Sequence, residues 1–243
     1  MTDVQSVPVT TIGIVCAAED EALLRALLDG FEPIARPDRG FYLAFEEDRL
    51  ELRQAGDRQG IWVSSEEIDR RLAGQFLLGR ACGLPAPGLH ILDATGGMGV
   101  DALALARKGA RVDVAEREPM LWALLKDLIR RVGVAEVTAI LADSAELMAG
   151  DARYDVIYLD PMFPARRKKA LPGKRMQYLG ALLADSAMES SDDPFDIRLV
   201  ELARCHARSR VVLKRRLKDP AAIPPDWSLK GRSVRYDVFR GLA

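Results

Sequence analysis

From residue 90 onward, short apolar runs at 90–94, 111–115, 137–141, 154–159, 210–215 and 233–240 alternate with segments of helical period at 100–108, 119–132 and 195–207. A hydrophobic period that switches repeatedly between 2 and 3.6 is the pattern of β-α-β units, whose crossover helices cover both faces of a mainly parallel sheet. The expected fold class is α/β, a doubly wound, Rossmann-like sheet over residues 89–243. Ahead of it, a strand at 11–18, a helix at 20–28 and a hairpin at 41–45 and 50–53 around Glu47-Asp48 predict a small N-terminal α/β unit over 1–63. Residues 64–88 read as a connecting helix and linker. SSEE at 64–67 is a helix start, Ile68, Leu72, Phe76 and Leu77 carry helical spacing to Gly83, and LPAPG at 84–88 breaks it.

The first βα turn of the larger segment is LDATGGMGVD, residues 92–101, with Gly96, Gly97 and Gly99 where a strand feeds a helix. Glycines there let backbone amides approach a ligand closely. A pyrophosphate would suit such a turn, but Asp93 before the glycines and Asp101 after them would repel it. The two acids suit a cationic ligand, such as the methionine part of S-adenosylmethionine with its ammonium and sulfonium groups. Gly97 and Gly99 are the expected backbone contacts. The second strand ends on Glu116-Arg117, where a carboxylate can accept from both ribose hydroxyls of an adenosine. The third ends on Asp143-Ser144, which suits either a helix cap or a contact to an adenine amino group.

The fourth strand runs into VIYLDPMFP, residues 156–164. Asp160-Pro161-Met162-Phe163 resembles the [DNS]-P-P-[FYW] signature of amino-methylating enzymes, with Met162 in place of the second proline. The exocyclic amine of a nucleobase is a poor nucleophile because its lone pair is delocalised into the ring. A carboxylate at Asp160 and the carbonyls of a proline-stiffened backbone around Pro161 supply acceptors that favour pyramidalisation, and Phe163 offers a face for the base to stack on. Directly after it come Arg166, Arg167, Lys168, Lys169, Lys174 and Arg175, six basic residues within ten and no acid among them. Beside a base-modifying turn, such a run reads as a phosphate clamp. Lys214 and Arg215, at the end of a later strand, are expected on the same edge of the sheet, facing the same RNA substrate.

Composition excludes several classes. Three cysteines, Cys16, Cys82 and Cys205, are too far apart for a disulfide framework or a zinc knuckle, and His90 and His206 have no metal-ligand spacing. No apolar run reaches the roughly 20 residues of a membrane span, so a cytoplasmic protein with no membrane partner is expected. The formal net charge of −1 leaves polyanion binding to the distribution of charge rather than its sum.

Taken in order, LDATGGMGVDALALA, VAERE, LADS, YLDPMFP with its basic tail, RVVLKR and RYDVFRG resemble the ribosomal RNA small subunit methyltransferase J family, over nearly the whole chain. The resemblance implies a class I methyltransferase sheet, S-adenosylmethionine as cofactor, and transfer of a methyl group to the exocyclic N2 of a guanine in 16S ribosomal RNA. Position by position, it puts cofactor contacts at Val100, Asp101, Glu116, Arg117, Asp143, Ser144 and Asp160. It implies ribosomal RNA or the small ribosomal subunit as partner, and a monomer is expected. Where the family carries a basic, glycine-rich segment before the first cofactor strand, this chain has residues 63–76, with Arg70 and Arg71 as the shared basic pair. Three rivals stay open from the residues alone: methylation of adenine N6 or cytosine N4, an NAD(P)-dependent oxidoreductase, and an RNA-binding module with an inactive cofactor fold.

Overall fold

A computed structural model of the chain describes residues 11–28, 30–73, 75–161, 173–185, 195–221 and 223–243. The chain divides into two compact units, Met1–Trp62 and Val63–Ala243.

In the first unit, β1 (Ile12–Val15), a single 3₁₀ turn (Ala18–Asp20), α1 (Glu21–Leu27), β2 (Phe31–Pro33), β3 (Phe41–Glu46) and β4 (Arg49–Gln54) follow one another. They build a sheet of order β2-β1-β3-β4, with β1 parallel to β2 and β3. The hairpin expected at Glu47-Asp48 is present: both residues take positive φ, 50° and 57°, the twist that a two-residue turn needs to match its strands. Arg53 and Glu51 are buried and bonded to each other, and Arg53 also forks onto Glu46 at 2.9 and 2.8 Å, so their charges are satisfied where the strand enters the core.

The second unit opens with α2 (Ser65–Leu72) and α3 (Leu77–Cys82). A capping box between Ser64 and Glu67 starts α2. The helix that the sequence predicts as continuous to Gly83 is in fact broken: Ala73 is extended (ψ 137°), ahead of Gly74, a residue that destabilises a helix interior. Both short helices belong to this unit, and α2 packs on α4.

Then come β5 (His90–Asp93), α4 (Val100–Ala106), β6 (Arg111–Glu116), α5 (Pro119–Val132), β7 (Val137–Leu141), α6 (Ser144–Met148) and β8 (Tyr154–Leu159). The chain closes with α7 (Lys174–Asp185), α8 (Phe195–His206), β9 (Ala207–Arg216), β10 (Trp227–Lys230) and β11 (Val234–Arg240). The sheet order is β10-β11-β9-β8-β5-β6-β7. Neighbours from β9 to β7 are parallel, and β11 and β10 add an antiparallel edge. This is the doubly wound α/β fold that the sequence predicts. β10 was not legible in advance because WSLK is a half-exposed edge strand without an apolar run.

Ile157, Leu159 and Val211 are essentially fully buried, as are their neighbours Val156, Tyr158 and Val212 on the opposite face, so the central strands are covered on both sides. Each such aliphatic side chain contributes about 1.5–3 kcal/mol on burial. From β5 the chain goes to β6 on one side and later to β8 on the other. A crevice therefore lies beyond the carboxyl ends of β5 and β8, the place where open α/β sheets bind ligands.

Candidate active site

The glycine turn after β5 is shaped by what stands behind it. A Cβ on Gly96 would lie 2.7 Å from Val114 Cγ1 and 2.9 Å from the carbonyl oxygen of Ala115, the latter fixed backbone. Gly99 takes φ +78° as it opens α4, and a side chain there would collide with Leu125. The Gly97 amide donates to Glu116 Oε2 at 2.6 Å. Glu116 Oε1 accepts from the amide of Glu118 at 2.8 Å. The acid at the tip of β6 thus clamps the turn while keeping lone pairs for a further donor, and burial pushes its pKa up.

Asp93, at the end of β5, is 3% exposed and accepts from the Thr95 amide and hydroxyl at 3.1 and 3.3 Å. Burial, which the Thr95 amide only partly offsets, and the neighbouring Asp101 and Asp160 carboxylates push its pKa up to about 7. No cation pairs with it among the described residues. A carboxylate held at that cost is stabilised by an incoming positive charge, and in the turn beside it a Cβ on Gly97 would meet nothing closer than 3.8 Å, so that position is open to a ligand. These residues fit the methionine end of S-adenosylmethionine.

On the β8 side the sequence expectation was incomplete. Asp101, in the first turn of α4, is bonded through Oδ1 by Arg71 and through Oδ2 by the Tyr158 hydroxyl at 2.6 Å and Lys214 Nζ at 3.0 Å. Burial alone would raise its pKa, but the Lys214 and Arg71 cations hold it down at about 2. Lys214 Nζ bonds Asp160 Oδ2 as well, at 2.6 Å. Between its two acids Lys214 is held firmly cationic, although burial opposes this. The Asp160 amide donates to Thr95 Oγ1 at 2.7 Å, which ties the ends of β8 and β5 together. Burial raises the Asp160 pKa against the opposing pull of Lys214. Arg71 completes the cluster with a 2.6 Å bond to the Tyr236 hydroxyl.

The remaining sequence candidates lie as follows. Val100 is the first residue of α4 and Pro161 is buried beside Asp160. Asp143 caps α6 by accepting from the Ala145 amide at 2.8 Å and stands 3.6 Å from Arg117, with Ser144 buried behind it. Arg175 forks onto Glu67 at 2.6 and 2.8 Å, and Lys174 lies 5.1 Å over the Tyr178 ring. Arg215 donates to the Pro220 carbonyl at 3.2 Å. Phe163, Arg166, Arg167, Lys168 and Lys169 lie outside the described residues.

Sequence reasoning missed Arg71, Tyr158 and Tyr236 as site members. Tyr158 had a signal, since it stands two residues before Asp160 on one strand and so shares its face. Tyr236 is the cross-strand partner of Lys214 in the β9–β11 ladder, a pairing that no local pattern announces.

A family profile described as SAM-dependent methyltransferase matches residues 26–241. The chain is 43% identical over 179 residues to ribosomal RNA small subunit methyltransferase J of Alkalilimnicola ehrlichii, covering 68% of this chain and 66% of that protein. It is 36% identical over 242 residues to the protein of the same name from Coxiella burnetii, covering 91% and 92%. The chain belongs to the ribosomal RNA small subunit methyltransferase J family. Among solved structures, a SAM-dependent methyltransferase from Neisseria gonorrhoeae superimposes with a TM-score of 0.74 at 27% identity, over 96% of both chains. Family membership accounts for the strand order around the crevice and decides against a nicotinamide cofactor.

Proposed function

We propose that the protein transfers a methyl group from S-adenosylmethionine to the exocyclic N2 of a guanine in 16S ribosomal RNA, acting on naked or assembled small-subunit RNA in the cytoplasm as a monomer. The observation that carries the proposal is Asp160. This partly exposed residue is fixed at the sheet's switch point by Lys214 on its carboxylate and Thr95 on its amide, within one cluster with the glycine turn and Asp93. Membership of the family supports the same reading.

In this reading Asp93 and the close-approaching backbone at Gly97, Gly99 and Val100 border the methionine end of the cofactor. Glu116 accepts from the ribose hydroxyls, and Arg117, Asp143 and Ser144 border the adenine. Asp101 holds Arg71 and Lys214 in place. Bound S-adenosylmethionine supplies an electrophilic methyl group on a sulfonium. Asp160 and the backbone at Pro161 align the amine in line with that methyl and favour its pyramidal form, Phe163 stacks on the flipped base, and the proton lost from nitrogen passes to the Asp160 carboxylate. Arg166, Arg167, Lys168 and Lys169, with Lys174, Arg175 and Arg215, are proposed to meet phosphates. Methylation of small subunits from a strain lacking this gene, followed by mass mapping of modified nucleotides, is expected to yield one N2-methylguanine in 16S RNA. Methyl groups on adenine or cytosine alone would overturn the guanine assignment.

The Asp93 environment predicts a pH dependence of cofactor binding. With a pKa of about 7 in the free protein, Asp93 is increasingly protonated as pH falls below 7. A cationic ligand requires the carboxylate, so binding releases a proton in that range and the affinity falls by up to about tenfold per pH unit below 7. Calorimetry between pH 6 and 7.5 in two buffers of different ionisation enthalpy reads the proton directly. Asp93→Asn should bind more weakly and lose the slope. A slope that persists in the variant belongs to another group.

A further inference from the structure

Resting on the guanine reading above, we infer that the Asp160–Lys214 ion pair is the base-recognition element of the site, and that Lys214 selects guanine by donating to its O6. The pair presents three polar atoms in succession. Lys214 Nζ bonds Asp160 Oδ2 at 2.6 Å, so the order along the pair is Oδ1, Oδ2, Nζ: acceptor, acceptor, donor. Asp160 Oδ1 has no partner among the described residues. Of the three donors that an ammonium carries, Lys214 directs one to Asp160 and one to Asp101 Oδ2 at 3.0 Å. The third is uncommitted among the described residues, and the side chains of Lys214 and Asp160 are 21% and 30% exposed, so a ligand can reach both.

The Watson–Crick edge of guanine, read from its amine, is N2–H, N1–H, O6: donor, donor, acceptor. It complements this order atom for atom, as cytosine does in a base pair, and it delivers N2 to the carboxylate that the chemistry needs. The other two amino bases do not fit. With the N6 amine of adenine or the N4 amine of cytosine at Oδ1, the next ring nitrogen is an acceptor facing the acceptor Oδ2, and this opposition costs more than a missing bond. Asp160 alone would leave the far side of the edge unread. Lys214 adds the third contact, and Asp101 with Arg71 and Tyr158 fixes where its ammonium stands.

The test compares guanine with 6-thioguanine, whose sulfur is a much weaker acceptor while N1–H and N2 are unchanged. It is placed at the guanine mapped by the experiment above, in reconstituted small subunits. With the wild-type protein at saturating S-adenosylmethionine, kcat/KM for guanine should exceed that for 6-thioguanine by about tenfold or more, the scale of one charge-assisted base contact. In Lys214→Met both rates fall and the ratio collapses toward one, while Lys214→Arg, which keeps a cationic donor, keeps a preference. Equal wild-type rates on the two bases overturn the inference whatever the variants do. So does an unchanged ratio in Lys214→Met, which would make Lys214 only a support for Asp160. Failure of the guanine reading itself is a separate result, seen as no N2-methylguanine at the mapping step.

Discussion

Asp160→Ala lowers the single-turnover rate of methyl transfer by about a hundredfold or more at saturating S-adenosylmethionine, the scale on which catalysis falls when reacting groups lose their alignment. Three features of the structure set that expectation. The carboxylate stands directly after the end of a largely buried strand, its amide is bonded to Thr95 Oγ1 at 2.7 Å, and its Oδ2 is bonded to Lys214 at 2.6 Å, so its direction is fixed before the base arrives. Its raised pKa makes it a better proton acceptor than an exposed aspartate, which suits the group nearest the amine that loses a proton. RNA affinity is expected to change little in this variant, because phosphate contacts dominate it. Asp160→Asn separates alignment from charge. The amide still offers one acceptor but turns a donor against either N1–H or Lys214, so its rate should fall between those of alanine and wild type. A variant that methylates at near wild-type rate in single turnover would show that the proline turn and Phe163 position the base without the carboxylate.

How much of this was legible in advance depends on whether the information is local. The parallel strands announced themselves because strands buried on both faces are continuous apolar runs, and the glycine turn did because only glycine tolerates both the φ of Gly99 and the contact behind Gly96. Asp93, Glu116, Asp143 and Asp160 could be placed at strand tips, since the end of an apolar run marks the edge of the sheet. What they bond could not. That Glu116 clamps Gly97, that Asp143 caps its own helix, and that Lys214 lies between Asp101 and Asp160 rather than extending into solvent are facts of strand order and register. Arg71 shows the limit most plainly. It lies 30 residues before Asp101, in a helix that the sequence made one continuous element with α3, and only the packing of α2 on α4 brings the two together.

That packing gives Asp101 a share in the stability of the fold. Its carboxylate, 13% exposed, satisfies Arg71, Lys214 and the Tyr158 hydroxyl at once, and the two cations are themselves only 26% and 21% exposed. Asp101→Ala leaves both cations with one partner fewer in a poorly hydrated place. Breaking a fully buried pair in this way costs 3–5 kcal/mol, and because Arg71 retains Tyr236 and Lys214 retains Asp160, about 2–3 kcal/mol is expected here. Urea unfolding followed by circular dichroism would read it as a lower midpoint at unchanged slope. The pH profile gives a second and independent readout. The folded-state pKa of Asp101 is held at about 2, below its ordinary 3.8, so the stability it contributes is fully present above about pH 4 and is lost as pH falls toward 2. The gap between wild type and Asp101→Ala should therefore be constant from pH 7 down to about 5 and close below 4. A gap undiminished at pH 2.5 would mean that the lost contribution is packing rather than charge. An unchanged midpoint at pH 7 would mean that Arg71 and Lys214 find other partners when Asp101 is gone, and that the cluster serves the bound base without supporting the fold.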